Sequence, residues 1–326
     1  MDIKWNHKIF NVQGTGFDEL ALSVFAYQYE NNPIYRNFAD MLHKKPGSVY
    51  RIEDIPFLPI RFFKSHRVTA TIFEPELVFE SSGTTATVNI RHFIRDGSLY
   101  TESFVKGFNK SYGDPAKCCI IGLLPSYIEK GNSSLVYMVN RLIELSGYRQ
   151  SGFYLYDFEK LGWTLTDLEQ KRQRTILIGV TYALIDFAEQ FSLPLQNTIV
   201  METGGMKGRK IELLREEVHH RLKAAFGIKT VHSEYGMTEL LSQAYSGGKG
   251  IFACPSWMRV MVRDEEDPFL VQRQGAGIIN VIDLANIYSC AFIATDDAGK
   301  VYADESFEVL GRTDGSDLRG CSLLVN

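Results

Sequence analysis

The stretch at residues 118–124 reads CCIIGLL, a short apolar run without a charged residue. Similar runs follow at 175–180 (TILIGV), 197–201 (NTIVM) and 278–284 (IINVIDL). Apolar runs of this length are typical of strands that are buried on both faces of a sheet. We therefore expect four buried strands in this part of the chain.

Apolar residues at helical spacing separate several of these runs. Two such stripes end at a glycine, Gly147 and Gly227, which is a common helix stop. The stripes are Leu135, Met138, Val139, Leu142 and Ile143, and then Ile211, Leu214, Val218, Leu222 and Ala225. Thr166 and Glu169 have the spacing of a capping box. Strands that alternate with helices predict a mostly parallel sheet covered on both faces, with ligands at the carboxyl ends of its strands.

The segments on either side differ in character. Residues 1–70 are aromatic-rich and predicted to be helical, with a helix over Phe17–Glu30. From Gly275 onward the chain is richer in β signals, Gly and Asp. A second, smaller sheet is therefore expected towards the C-terminus.

Composition excludes several functional classes. Hydrophobic residues make up 45%, charged residues 23%, and the net charge is -4, so no nucleic-acid partner is expected. The five cysteines include no CxxC pair, which disfavours a zinc site or a disulfide framework. The N-terminus has no apolar signal region, and no apolar run approaches a membrane helix in length. We expect a cytoplasmic protein with no membrane partner.

Four polar motifs carry the candidate chemistry. Ser81-Ser82-Gly83-Thr84-Thr85 follows a strand-like run, and its hydroxyls and exposed amides could wrap phosphate oxygens. Taken alone, it is more typical of a polar turn between two strands, and it is not a Walker loop.

The second motif, Tyr235-Gly236-Met237-Thr238-Glu239, offers an aromatic ring to a base and a carboxylate to Mg²⁺, or is a solvated strand-to-helix corner. The third is Thr295-Asp296-Asp297 within ATDDAG, whose carboxylates could bind ribose hydroxyls or belong to an ordinary turn. The fourth, GRTDGSDLRG at 311–320, contains Arg312 for phosphate or ribose, or is a charged surface loop.

The order of these motifs resembles that of the adenylate-forming, acyl-activating superfamily. Within it the chain is most similar to LuxE-type acyl-protein synthetases and more distantly to phenylacetate-CoA ligases, from about Phe79 to the end. The resemblance implies an α/β fold: the large N-terminal domain of an adenylate-forming enzyme, with mixed and parallel sheets flanked by helices and a small C-terminal β-rich part. It implies a single domain over 1–326, with a helical part (1–70), an α/β core (71–274), a β-rich part (275–310), and a hinge and tail (311–326). The usual C-terminal lid domain is expected to be absent.

The resemblance also implies roles for individual residues. The phosphate loop would be formed by Ser81, Ser82, Gly83, Thr84 and Thr85. Tyr235, with Gly236, would stack on adenine, and Gly204 and Gly205 would lie beside it. Thr238 would contact the α-phosphate, Glu239 would hold Mg²⁺, and Asp297 (or, failing that, Asp296) would bind the ribose. Arg312 would act in catalysis, and Asp314 would mark the hinge.

Two departures from the superfamily pattern affect the chemistry. The phosphate loop continues Ala86-Thr87-Val88-Asn89 rather than Gly-x-Pro-Lys, so Arg91 is expected to supply the missing charge. The catalytic lysine of the usual C-terminal domain has no counterpart before Asn326.

Cys321 is the candidate acyl acceptor. The bioluminescence family carries a cysteine near the end of its chain that receives the acyl group, and Cys321 matches that position. Arg319 nearby would favour its thiolate. Cys118, Cys119 and Cys290 are expected to be core residues, whereas Cys254 fits either interpretation. His232 is given no catalytic role, and His219 and His220 on the second helical stripe are expected to be solvated.

The implied function is ATP-dependent, Mg²⁺-assisted activation of a fatty or aryl carboxylic acid to acyl-AMP, then transfer to Cys321 as a thioester. A reductase or carrier protein would take the acyl group. The alternatives are an acid-CoA or acid-carrier-protein ligase and a non-catalytic nucleotide- or acyl-AMP-binding protein. The sequence leaves open the identity of the acid, the final acceptor and the oligomeric state.

Overall fold

The computed structural model describes residues 5–81, 89–125, 131–204 and 213–312. The chain forms two compact units. The first unit comprises residues 1–107, 237–243 and 253–309, and the second comprises residues 108–236, 244–252 and 310–326.

Helices form the N-terminal part of the first unit, as predicted. Helix α2 buries Phe17, Ala21, Val24 and Phe25, a face spaced at one helical turn. Asn32 starts α3 by accepting a hydrogen bond from the Tyr35 amide, with Pro33 at the first helical position. The helices are α1 (Trp5–Phe10), α2 (Gly16–Asn31), α3 (Pro33–Met41), α4 (Phe62–Ser65) and α5 (Gly97–Tyr112).

The first unit contains a mainly antiparallel sheet and a separate two-stranded hairpin. The hairpin consists of β2 (Leu77–Glu80) and β3 (Arg91–Ile94). The sheet has the order β15-β14-β13-β11-β12, and β1 pairs with β14 in parallel. Its strands are β1 (Leu58–Pro59), β11 (Met258–Arg263), β12 (Val271–Gln272), β13 (Gly275–Asp283), β14 (Phe292–Val301) and β15 (Phe307–Arg312). The predicted C-terminal β-rich part is therefore present.

The second unit contains the predicted parallel sheet. Its order is β5-β4-β6-β7-β8-β9, and every neighbouring pair is parallel except β8 with β9. The strands are β4 (Cys119–Leu123), β5 (Gly152–Phe153), β6 (Thr175–Gly179), β7 (Thr198–Glu202), β8 (His232–Tyr235) and β9 (Ala244–Ser246). The short strand β10 (Ile251–Phe252) lies in the second unit but is not part of this sheet. The three apolar runs predicted here become β4, β6 and β7, with ends shifted by one residue.

In the described part of this unit, the sheet is accompanied by the helices α6 (Ser134–Ser146), α7 (Phe158–Gln170), α8 (Thr181–Gln190) and α9 (Arg215–Phe226). Gly147 and Gly227 follow α6 and α9 with φ of 64° and 61°. Both glycines therefore supply the left-handed C-cap that the sequence predicted.

The capping box at Thr166 and Glu169 is wrong. Helix α7 begins eight residues earlier than Thr166, and Asp157 caps it by accepting a hydrogen bond from the Lys160 amide at 3.1 Å. Glu169 lies in the last turn, where its carboxylate accepts hydrogen bonds from the Asn197 amide and the Thr198 hydroxyl. The local pattern was right for a cap, but a long-range contact uses the glutamate instead.

Among the described residues, we find no helix with the length and apolar character that crossing a membrane requires.

Candidate active site

The segment that carries Thr238 and Glu239 is held through its main chain within the first unit. The buried side chain of Asn286 donates from Nδ2 to the Glu239 carbonyl at 2.6 Å. The His92 ring lies 2.8 Å from the Thr238 carbonyl through Nδ1. Since a carbonyl only accepts, Nδ1 carries the proton. Glu239 itself is fully buried, whereas Thr238 is half-buried.

His92 is a buried, neutral positioning residue. It lies on β3, its ring packs edge-on against Phe63 with 5.6 Å between centroids, and Nε2 has no hydrogen-bond partner among the described residues. Burial lowers its pKa to about 4, an effect that the hydrogen bond to Thr238 only partly opposes. His92 therefore stays uncharged at neutral pH and acts as a fixed donor.

Asp283, the last residue of β13, holds the next part of the same segment. Its Oδ2 accepts from the amides of Leu241 and Ser242 at 2.8 and 2.9 Å. Its Oδ1 accepts from the Ser242 hydroxyl at 2.6 Å and from the Ala285 amide at 3.1 Å. Burial raises the pKa of Asp283 to about 6, although all four donors favour the ionised form. The carboxylate thus replaces the strand or helix partners that this segment lacks.

Asp297 lies in a β-bulge and not in a turn, so the turn interpretation of ATDDAG is wrong. Asn280 of β13 pairs with Ala294, and Ile278 pairs with Ala298, which leaves three residues of β14 opposite Ile279 alone. The Thr295 hydroxyl donates to the Ile279 carbonyl at 2.8 Å and accepts from the Asp297 amide at 3.2 Å. Bulges redirect side chains and are frequent next to active sites.

Arg263 braces this bulge from β11. Its guanidinium donates to the Ile279 carbonyl at 3.1 Å, to Asn280 Oδ1 at 2.7 Å and to the Thr295 carbonyl at 2.6 Å. The planar fork of arginine suits such a set of acceptors. β13 consequently anchors two predicted motifs, the Asp297 bulge through residues 279–280 and the Thr238–Glu239 segment through Asp283.

Only the first residue of the predicted phosphate loop lies in the described chain. Ser81 is buried and pairs with Ile90 across the hairpin: its amide donates to the Ile90 carbonyl, and its Oγ accepts from the Ile90 amide at 3.1 Å. Ser82, Gly83, Thr84 and Thr85 lie outside the described residues, as do residues 86–88. Arg91, which was expected to supply the missing charge, is the exposed first residue of β3.

Tyr235, Gly236 and Gly204 belong to the second unit. Tyr235 ends β8 with its ring 5.9 Å from that of Phe252, and the exposed Gly236 follows. Gly204 follows β7 with φ of 72°, and its amide donates to Glu202 at 2.8 Å. Gly205 lies outside the described residues.

A buried acid cluster surrounds Glu202, at the end of β7. Burial alone would raise its pKa, but His219, Arg215 and the Ser233 and Gly204 donors outweigh burial and hold the pKa at about 2. Glu234 of β8 shows the opposite effect, because burial and the charge of Glu202 raise its pKa to about 8. The pKa values of these two neighbouring carboxyls are therefore shifted in opposite directions.

The prediction that His219 is solvated is wrong. His219 is buried, and its Nε2 lies 3.7 Å from Glu202 Oε1. It shares the inward face of α9 with Val218 and Leu222, the i+3 and i+4 pattern that could have identified it.

The remaining site candidates lie near the C-terminus. Arg312 is half-buried and is the last residue of β15, whereas Asp314 and Cys321 lie outside the described residues.

Cys118, Cys119 and Cys290 are buried, as expected, and Cys254 is half-buried. Burial raises the pKa of Cys118 to about 11 and that of Cys290 to about 12, which makes both weak nucleophiles.

Comparison with known proteins supplies an independent line of observation. A protein-family model described as "Acyl-protein synthetase, LuxE" matches residues 10–326. No curated protein sequence matches the chain.

Among solved structures, ATP-bound MatB from Rhodopseudomonas palustris is similar, with 20% identity, a TM-score of 0.54, and coverage of 74% of this chain and 50% of that chain. The ATP-bound RpMatB-BxBclM chimera B3 is similar at 19% identity and a TM-score of 0.55, with the same coverage. The chain thus spans about half the length of these solved structures and shares the fold of the part that it covers.

Proposed function

Since the chain belongs to the LuxE family of acyl-protein synthetases, we propose that it activates a carboxylic acid with ATP and then carries the acyl group on Cys321. Two anchored segments support this proposal: the Thr238–Glu239 segment and the Asp297 bulge, both fixed to β13. Each matches a motif that the resemblance assigns to the nucleotide. A turnover-dependent site needs such groups held in place before the ligand arrives.

The proposed nucleotide contacts follow the motif assignments, residue by residue. Adenine stacks on Tyr235, and the loop that begins at Gly204 lies beside it. Asp297 accepts hydrogen bonds from the ribose hydroxyls, and Ser81–Thr85 with Thr238 donate to the phosphates. The positive φ of Gly204 supports its part of this assignment, because a backbone turn at that point lets the chain approach a flat base closely.

Glu239 is the proposed Mg²⁺ ligand. Mg²⁺ is commonly held by one or two carboxylates together with substrate phosphates, and a buried carboxylate on a fixed backbone is a suitable donor. The described residues contain no group of three or more acidic, His or Cys side chains placed to hold a metal ion. The phosphates would therefore complete the coordination. When bound, the ion would neutralise charge on the phosphate oxygens.

The proposed reaction has two steps. In the first, a carboxylate oxygen of the acid attacks the α-phosphorus, the bond to the bridging β-phosphate oxygen breaks, and pyrophosphate leaves. In the second, the Cys321 thiolate attacks the acyl carbon, the bond to the phosphate oxygen breaks, and AMP leaves. The thiol proton passes to solvent before the attack.

Cys321 is preferred over the other thiols on physical grounds. Burial disfavours the thiolates of Cys118, Cys119 and Cys290, and each lies within the core of its unit. Cys254 is half-buried and is the internal competitor. The final acceptor, a reductase or a carrier protein, would take the acyl group from the thioester. We propose the cytoplasm as the location of this reaction.

Pyrophosphate release tests the first step. A panel of fatty and aryl acids is added with MgATP, and at least one acid should raise pyrophosphate release above the acid-free rate. If no acid in the panel raises pyrophosphate release although ATP binds normally, the result would favour a non-catalytic binding protein.

Intact mass spectrometry tests the second step. Wild type should gain the mass of the acyl group, and hydroxylamine should remove it. Cys321→Ala should lose the adduct but keep pyrophosphate release, because the thiol enters only after adenylation. Cys254→Ala is the matched control and should behave as wild type. An adduct that persists in Cys321→Ala and disappears in Cys254→Ala would overturn the assignment.

A further inference from the structure

A cavity of about 400 Å³ lies within the first unit. None of Ser81, Thr238, Glu239 and Asp297 lines it. Its walls come from α3, the 53–61 segment, the chain between β11 and β12, and β14. Its volume is in the range of small-molecule sites.

Most of the wall is apolar. Ile55 and Phe57 form a buried inner part, and Phe38 and Leu42 are half-buried. Phe269 is 66% exposed where the chain between β11 and β12 borders the cavity. An aromatic ring exposed to this extent beside an apolar cavity is a surface that a ligand could cover.

The charged residues of the wall lie near groups of opposite charge, with one exception. Lys44 Nζ lies 3.7 Å from Asp54 Oδ1. Glu53 accepts from Arg273 Nε at 2.6 Å. Arg263 is occupied by the bulge and is further stabilised by the charge of Asp296.

Arg61 is the exception. Its side chain has no hydrogen bond or ion pair within the described residues, although it is close enough to Arg263 for the two charges to repel each other. An apolar cavity with one uncompensated guanidinium is complementary to a molecule with an apolar body and a single anionic end. A carboxylate matches the fork of arginine in a bidentate geometry.

We propose that this cavity binds a carboxylic acid, with its apolar body against Leu42, Ile55 and Phe57 and its carboxylate on Arg61. Ala294 and Asp296 also line the cavity, and they flank Thr295 of the bulge. An acid bound here therefore contacts the strand that carries Asp297. The choice of a carboxylic acid also agrees with the proposed function, but binding at this site requires neither ATP nor turnover.

Isothermal titration with octanoate, in the absence of nucleotide, tests the site. Arg61→Gln should raise the dissociation constant for octanoate about tenfold or more, because a charge-assisted hydrogen bond is lost. Octan-1-ol lacks the charge, so its binding should be the same in wild type and Arg61→Gln. Arg149→Gln, which removes an exposed guanidinium in the second unit, is the matched control and should bind both ligands as wild type.

Filling the cavity gives a second, independent test. Leu42→Trp should weaken octanoate and octan-1-ol alike, because the larger ring occupies the space of the apolar body. An unchanged thermal midpoint in Leu42→Trp would show that the fold is intact. Wild-type octanoate binding in both Arg61→Gln and Leu42→Trp would overturn the proposal.

The outcome is separable from that of the proposed function. If octanoate binds through Arg61 but no acid supports pyrophosphate release, the cavity stands and the adenylation proposal fails. If pyrophosphate release is normal and octanoate binding does not depend on Arg61 or Leu42, the adenylation proposal stands and the cavity assignment fails.

Discussion

Replacing His92 by Asn should change how the stability of the first unit depends on pH. His92 is fully buried, and burial lowers its pKa from 6.5 to about 4. The unfolded chain therefore binds a proton that the folded chain does not, so stability from this group is complete above about pH 6.5 and is lost as pH falls towards 4. Asn offers an amide N–H near the position of Nδ1 but does not titrate.

The magnitude follows from the two pKa values. Between about pH 7.5 and about pH 5, the unfolded-state protonation of His92 lowers the free energy of unfolding by roughly 2 kcal/mol, at about 1.4 kcal/mol for each pH unit below 6.5. Wild type should lose this amount in addition to what all other groups contribute. His92→Asn should lose only the contribution of the other groups, which the two proteins share.

Urea unfolding followed by tryptophan fluorescence measures the difference. Trp5 and Trp257 are buried in the first unit, whereas Trp163 of the second unit is 77% exposed and should change little on unfolding. The stability advantage of wild type over His92→Asn should shrink by about 2 kcal/mol at about pH 5 relative to about pH 7.5. A difference that is the same at both pH values would refute a buried, neutral His92. His92→Leu, which also removes the donor to Thr238, should lower pyrophosphate release more than His92→Asn does.

Four further substitutions test residues of the first unit, and a fifth serves as a control. Glu239→Gln and Asp297→Ala should each lower pyrophosphate release on the order of 100-fold with the fold intact, and unchanged turnover in both would contradict the site assignment. Asp283→Asn should lower the free energy of unfolding by roughly 2–4 kcal/mol, because an amide NH₂ would face buried main-chain N–H groups. An unchanged urea midpoint would contradict the role of Asp283 in holding residues 241 and 242. Gly299→Ala would place a Cβ 2.6 Å from a main-chain oxygen of the adjacent strand, and the resulting overpacking should destabilise by roughly 1–3 kcal/mol. Gly152→Ala is its control, since no atom lies within 4 Å of a Cβ there; equal thermal midpoints would refute the steric argument.

The sequence predicted the strands and helix ends well because their signals are local. The run at 118–124 becomes β4 because both of its faces are buried, and Gly147 ends α6 because few other residues adopt its positive φ cheaply. The prediction failed where distant contacts override local preference. Asp296 and Asp297 favour a turn in isolation, yet the pairing of Ala294 and Ala298 on either side with β13 holds them in a bulge of β14.

The residues that brace the motifs were not predicted, and the reason is distance along the chain. His92 contacts a residue 146 positions away, and Asp283 contacts Leu241 from 42 positions away. One signal was nevertheless present. Asn280 and Asp283 interrupt an otherwise apolar run that was expected to be buried, and buried polar groups need partners. A polar residue within a buried strand therefore indicates a side chain that hydrogen-bonds to another segment, but the sequence does not show which segment.

Each of these side chains makes at least one hydrogen bond to main-chain atoms of a motif or of the residues that follow it. His92 and Asn286 bind the carbonyls of residues 238 and 239, Asp283 binds the amides of residues 241 and 242, and Arg263 binds the carbonyl of Thr295. A side chain that must meet a ligand is thereby positioned through its backbone, and the entropy of ordering that backbone is lost on folding and not on binding. For the proposed reaction, substituting one of these positioning side chains should lower the reaction rate by more than its effect on the free energy of unfolding suggests. The reason is that a displacement of about 1 Å at a reacting group can lower a rate about 100-fold.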